Sequence, residues 1–159
     1  MRLISDKKKR EIIEQLLLQN YNKYYRLACS YVYNDSDAGD IVQNGAYKAI
    51  LNSHKIKSIE YAETWLYRIM LNEIFAKYRE KENASLEEIS YEQGKEDTYE
   101  NVDLQKAINT LEKKDRTVVV LRYFEDMKLE EIAEILQENL STVKSRLYRS
   151  MKKLRVELE

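Results

Sequence analysis

Proline is absent from the 159 residues and glycine occurs only three times. Sheets closed by tight hairpins draw on both residue types at their turns, so this shortage argues against an all-β design and favours long helices. Cysteine and histidine occur once each, as Cys29 and His54. That excludes an internal disulfide framework and a Cys/His zinc site within one chain. His54 sits in a polar connector without a carboxylate or thiol partner, which makes it surface rather than a general base. No catalytic group, cofactor or metal is expected, and so no enzyme. Long apolar runs are also missing. After the basic start MRLISDKKKR the hydrophobic residues are interrupted by Glu14 and Gln15, leaving no signal-peptide core and no membrane-inserted segment. A cytoplasmic protein is expected.

What the chain does contain is charge and helical period. Lys, Arg, Asp and Glu make up 35% of it, yet the formal net charge is only -1. The near-balance hides a partition: +4 over residues 1–79, -7 over 80–104 and +2 over 105–159. Two mildly basic blocks flank an acidic one, so the global charge is a poor guide to the partner. The length suits two small helical domains, 1–81 and 104–159, joined by an acidic linker at 82–103 that lacks an apolar stripe. Such a linker spans roughly 25 to 30 Å when relaxed and about 80 Å when fully drawn out.

The most informative stretch runs from Leu129 to Leu154. Leu129, Ile132, Ala133 and Leu136 fall at i, i+3, i+4 and i+7, one side of a two-turn helix. Gln137, Glu138 and Asn139 interrupt the pattern, and a second stripe follows through Val143, Leu147, Met151 and Leu154, with Asn139 placed to cap the helix that carries it. A short helix, a tight corner and a longer capped helix form a helix-turn-helix. No acid occurs between Asn139 and Val156, whereas Lys144, Arg146, Arg149, Lys152, Lys153 and Arg155 all lie there. A cationic helix with an apolar back can neutralise phosphates and reach base edges in the major groove, with Thr142, Ser145 and Tyr148 adding donors.

Upstream, Ser5 or Asp6 can cap a first helix that continues through Ile12, Ile13, Leu16, Leu17, Tyr21, Tyr24, Tyr25, Ala28 and Tyr31, either as one long helix or as a broken pair. Most of the thirteen tyrosines are expected at the core edge with the hydroxyl in water. Asn34 to Asp37 makes a turn and cap for a second helix, Ala38 to Leu51, whose apolar side is Val42, Gly45, Ala46 and Ala49. Gly45 should cost that helix about 1 kcal/mol. A third helix, Glu60 to Lys81, draws its apolar surface from Trp65, Leu66, Ile69, Ile74 and Tyr78. In the second domain, Leu104, Ala107, Ile108 and Leu111 pattern one helix and Val118 to Tyr123 another.

LRYF at Leu121, EEIAEIL at Glu130 and TVKSRLYR at Thr142, in that order and spacing, resemble region 4 of the group IV, extracytoplasmic-function, sigma factors of bacterial RNA polymerase. DIVQ at Asp40 and TWLYRI at Thr64 followed by Asn72 are similar to region 2 of the same family. The resemblance implies a factor that binds core polymerase and directs promoter-specific initiation, reading duplex DNA at -35 and melting and reading the -10 element. It assigns Thr142, Lys144, Ser145, Arg146, Tyr148 and Arg149 to -35 DNA. Asp37, Asp40, Gln43, Asn44, Tyr47 and Lys48 fall to docking on the β′ clamp helices, and Lys55, Lys57, Tyr61, Arg68, Asn72, Lys77 and Arg79 to the -10 element. A melted base needs an aromatic or donor-edged holder while a basic helix follows the backbone, which these residue types can supply. The β flap, promoter DNA and an anti-sigma protein are the further partners implied. Several positions depart from the family pattern: Asn44, Gly45, Ile50, Glu80, Glu82, Lys128 in place of a Ser/Thr cap, and Gln137 in place of Gly at the turn. The alternatives left open by the residues themselves are a stand-alone helix-turn-helix regulator that needs no polymerase and an adaptor that binds no DNA.

Overall fold

The computed structural model describes residues 4–32, 34–84, 104 and 106–158. It is all-α, and no strand occurs among the described residues. No helix among them is long and apolar enough to cross a membrane. Its contacts fall into two units, Met1–Glu80 and Lys81–Glu159. The expected linker at 82–103 lies outside the described residues except at 82–84, where the third helix continues.

In the first unit, α1 spans Asp6–Cys29, with Ser5 Oγ accepting from the Lys8 amide at 3.1 Å. It is two helical stretches run together across a kink at Asn20, whose φ of -111° and ψ of 17° leave the helical region. Asn20 is buried at the kink, one turn before the fully buried Tyr24. Helix α2, Asp35–Leu51, is capped by the Asn34 side chain, which accepts from the amides of Ser36 and Asp37. Two 3-10 turns, Ser53–Lys55 and Ile59–Tyr61, lead into α3, Ala62–Ala84. Ile13, Leu17 and Leu27 of α1, Ile41 and Val42 of α2, and Leu66, Met70 and Ile74 of α3 make the core.

One expectation fails here. Trp65, Ile69 and Tyr78 are only half-buried, while Tyr67, Met70 and Leu71 take the interior. Most of the described tyrosines are exposed or half-buried, as expected, with a few exceptions. Tyr24 and Tyr67 are fully buried and meet edge to face with centroids 5.2 Å apart. Burial pushes the Tyr24 phenol well above its ordinary range. Gly45 has a reason the sequence hid: a β-carbon built there would lie 2.5 Å from Met70 Sδ, so the missing side chain leaves the space that the buried Met70 thioether fills.

The second unit holds α4, Lys113–Val119, capped by Glu112; a π turn, Val120–Phe124; α5, Leu129–Leu136; and α6, Leu140–Leu158. Residues 106–109 are helical as well. Val118, Leu121, Ile132, Val143 and Leu147 are among its core residues. On α5 the buried face is Ile132, Ala133 and Ile135, with Leu129 and Leu136 half-buried, so the stripe is rotated slightly from its expected line. Lys128 stands at the α5 cap without an accepting side chain, and Glu131 Oε1 takes the Lys128 amide at 2.9 Å, which leaves half of a capping box. Gln137 ends α5 in the left-handed conformation, φ 57° and ψ 46°, where glycine is at ease. The Asn139 carbonyl then accepts the first α6 bond, from Val143.

Candidate nucleic-acid interface

The apolar back of α6 fixes what its front presents. With Val143, Leu147 and Leu154 buried, Lys144, Ser145, Tyr148, Arg149 and Lys152 are all exposed, Tyr148 to 73%. Thr142 is half-buried at the edge. Arg146, expected among the readers, behaves otherwise. Its side chain is only 17% exposed, and its fork is filled by protein carboxylates. Nε and Nη2 donate to the two oxygens of Glu138 at 2.8 and 3.0 Å, and Nη1 donates to Asp115 Oδ1 at 2.9 Å. Nη1 also reaches Glu112 Oε1 at 3.4 Å. The ring of partners draws the Glu138 carboxyl below its ordinary range, chiefly through the Arg146 hydrogen bonds, and raises the Arg146 guanidinium. Arg149 also contacts Asp115, at 3.0 and 3.2 Å, but keeps 60% of its side chain in solvent. Arg146, unlike Arg149, is thus engaged almost entirely inside its own unit.

On α2 the outward face carries Asp40, Gln43, Asn44 and Tyr47, all exposed, Tyr47 to 66%. Lys48 is exposed and pairs with Glu73 of α3. Asp37 does not join this face. It is half-buried, with Lys77 Nζ of α3 at 3.9 Å, so the expected docking acid and the expected -10 cation are turned toward each other. Lys77 also lies 3.7 Å from Glu80. Leu51, 55% exposed one turn beyond Tyr47, belongs to the α2 face and escaped the sequence reading, although its i+4 spacing from Tyr47 was a usable signal.

The remaining -10 candidates surround the 3-10 turns. Lys55 and Lys57 are exposed in the connector, and Asn72 and Arg79 are exposed on α3. Arg68 lies over the Tyr61 ring, 5.0 Å from its centroid, a cation–π contact that holds both side chains half-buried. Lys9 Nζ donates to the His54 carbonyl at 3.2 Å, tying α1 to the connector beside a shallow cleft lined by Ile4, Ile12, Ile56 and Ile59. Tyr123 and Phe124, both more than half exposed on the π turn, are a further apolar pair the sequence reading passed over. Among the described residues no group of three or more His, Cys, Asp or Glu side chains is arranged to hold a metal ion.

These surfaces sit on segments that match known families. The model described as Sigma-70 region 2 matches residues 16–83, and that described as Sigma-70, region 4 matches residues 101–154. The chain is 39% identical to RNA polymerase sigma factor SigV of Bacillus subtilis, over 95% of this chain and 96% of that protein. It is 33% identical to ECF RNA polymerase sigma factor SigW of the same organism, over 86% and 83%. In fold it resembles the sigma factor RpoE in complex with the anti-sigma factor NepR from Bartonella quintana, with a TM-score of 0.73, 22% identity, and 91% and 95% of the two chains covered. CnrH, solved with the cytosolic domain of CnrY, gives the same TM-score at 24% identity, covering 92% and 86%.

Proposed function

This chain belongs to the sigma-70 family, is of the extracytoplasmic-function type and serves RNA polymerase as a promoter-recognising sigma factor, and from that premise we propose how its surfaces divide the work. The exposed face of α6 reads the -35 duplex: Lys144 and Arg149 supply charge to phosphates or guanine edges, and Thr142, Ser145 and Tyr148 supply neutral donors. The α2 face docks on the β′ clamp helices through Asp40, Gln43, Asn44 and Tyr47, with Leu51 adding apolar area. Lys48 sits at its edge. Lys55, Lys57, Tyr61, Arg68, Asn72 and Arg79 serve the -10 strand, and Asp37 and Lys77 support it by bracing α2 against α3. The exposed Tyr123–Phe124 pair suits the β flap. An anti-sigma protein is a further partner, an idea supported by the company in which the two structural neighbours were solved. No step needs covalent chemistry by this chain, and the protein is placed in the cytoplasm, where polymerase acts.

The observation that carries this reading is the separation of chemistry on α6: acids held to one flank, cations and hydroxyls on the front, and no acid from Asn139 to Val156. The stand-alone regulator is not favoured, because such a protein has no use for a region 2 segment. The test mixes purified chain with core polymerase and measures binding and promoter-specific transcripts. Asp40→Ala with Gln43→Ala should weaken core binding about tenfold while leaving unfolding unchanged. Unaltered core affinity would remove the docking assignment.

A further inference from the structure

Glu138 is an acid in the turn that a helix-turn-helix brings close to DNA phosphates, a placement that ordinarily opposes binding. Here both of its oxygens are occupied, by Arg146 Nε and Nη2 at 2.8 and 3.0 Å and by Lys114 Nζ at 3.3 Å. Asp115, nine-tenths buried on α4, holds Arg146 Nη1 at 2.9 Å and Arg149 Nη2 at 3.0 Å. The Arg146 guanidinium therefore joins three pieces of the unit: the turn before α6, helix α4 and α6 itself. With its donors so engaged, it cannot at once make a bidentate bond to a guanine.

We propose that Glu138 and Asp115 are positioning residues for promoter recognition, acting through Arg146 to fix the roll of α6, so that Lys144, Ser145, Tyr148 and Arg149 meet the groove in register. The proposal rests on α6 being the reading helix. Side chains that read base edges must be held to about half an ångström, and a charged fork spanning a turn and two helices is a stiffer support than apolar packing alone. Asp115 takes a second part, since its contact with Arg149 sets the starting direction of a side chain that remains largely in solvent.

The positioning role and the direct-reading role give opposite signs for one substitution. If Arg146 read DNA, Glu138→Gln would release it and remove an acid near phosphate, so binding would tighten. If Glu138 positions α6, the same change loosens the helix and binding weakens. The measurement uses full-length chain in holoenzyme with duplexes that the wild type selects from a randomised -35 pool, alongside scrambled versions of the same duplexes. Glu138→Gln should lower affinity for the selected duplexes about tenfold and lower the selected-to-scrambled ratio as well. Arg146→Met should match it, the double variant should be no worse than either alone, and the salt slope should stay unchanged because no phosphate contact is lost. Tighter binding by Glu138→Gln, or an equal loss on selected and scrambled DNA as simple partial unfolding would give, overturns the proposal. Lys144→Ala, run in parallel, separates the two levels: a selected sequence unchanged by that variant rejects the reading face itself, whatever Glu138 does.

Discussion

Gly45→Ala offers a test in which helix propensity and packing predict opposite signs. On propensity alone alanine in the middle of α2 should stabilise by about 1 kcal/mol. The β-carbon, however, would stand 2.5 Å from Met70 Sδ and 3.1 Å from Met70 Cε, and Met70 is fully buried. An unstrained carbon–sulfur contact needs about 1 Å more, which Met70 can supply only by leaving its rotamer or by parting the helices, at about 1 to 3 kcal/mol. The net expectation is destabilisation by about 1 kcal/mol. Trp65, the only tryptophan and a resident of α3, makes fluorescence-detected urea unfolding a reporter of this unit. In a Met70→Val background, where Sδ and Cε are gone, the same Gly45→Ala change should instead stabilise, giving a coupling of at least about 1 kcal/mol. Stabilisation by Gly45→Ala in the otherwise wild-type chain, or strict additivity with Met70→Val, would refute the close-approach explanation. The spacing matters because the opposite face of α2 carries the proposed docking residues, and the Lys48–Glu73 pair crosses the α2–α3 junction less than one turn away.

Gln137→Gly should stabilise the second unit by about 1 kcal/mol, because it removes a left-handed strain of 1 to 2 kcal/mol and returns part of that through the freer unfolded chain; hydrogen exchange of α5 and α6 amides will register it. The acid limb of stability should show Glu138. The Arg146 and Lys114 contacts hold its carboxyl below the ordinary glutamate range, so its contribution is complete above that range and disappears as pH falls through the lowered folded value. Unfolding of the second unit should become easier as pH falls below the ordinary glutamate pKa of about 4.3, and Glu138→Gln should flatten that decline; an unchanged slope would mean the Arg146 and Lys114 contacts do not persist in solution.

The helix-turn-helix was legible because it is local. Apolar residues at 3.6 spacing, a run without acids and a cap-forming residue type at Asn139 all lie within one short stretch, and each reports on a helix whichever way the unit packs. What failed to show in the sequence depends on residues far apart along the chain. A wheel puts Arg146 on the flank of α6 but cannot say that Asp115, 31 positions earlier, waits there, nor that Glu138 folds back across the turn. Gly45 read as a cost because its reason stands on another helix. Trp65 and Tyr67 are near neighbours on α3, and hydrophobicity ranked the tryptophan as core, whereas the helix phase toward Tyr24 buried the tyrosine. Asn20 in α1 looked like a polar interruption that either one helix or two could accommodate, and the structure lies between the two: the chain leaves the helical region at that one residue and resumes the helix beyond it.

Charge in this chain acts by placement, not by sum. Residues 105–159 carry only two more cations than acids, too few to account for duplex binding by net charge. Yet Asp115 and Glu138 are mostly buried and paired with Arg146, which sets two acids against a cation whose own side chain is only 17% exposed. What remains on the front of α6 is Lys144, Arg149 and Lys152 with no acid between them, and within a Debye length of about 8 to 10 Å that local field is what a phosphate senses. The α2 face follows the opposite logic. Asp40 lies there with amides and with exposed Tyr47 and Leu51, while Lys48 is matched by Glu73, a composition suited to a protein partner and unsuited to a phosphate backbone. Two surfaces of opposite electrostatic character can coexist in a chain of net charge -1 because internal ion pairs take up the charges that would blur them.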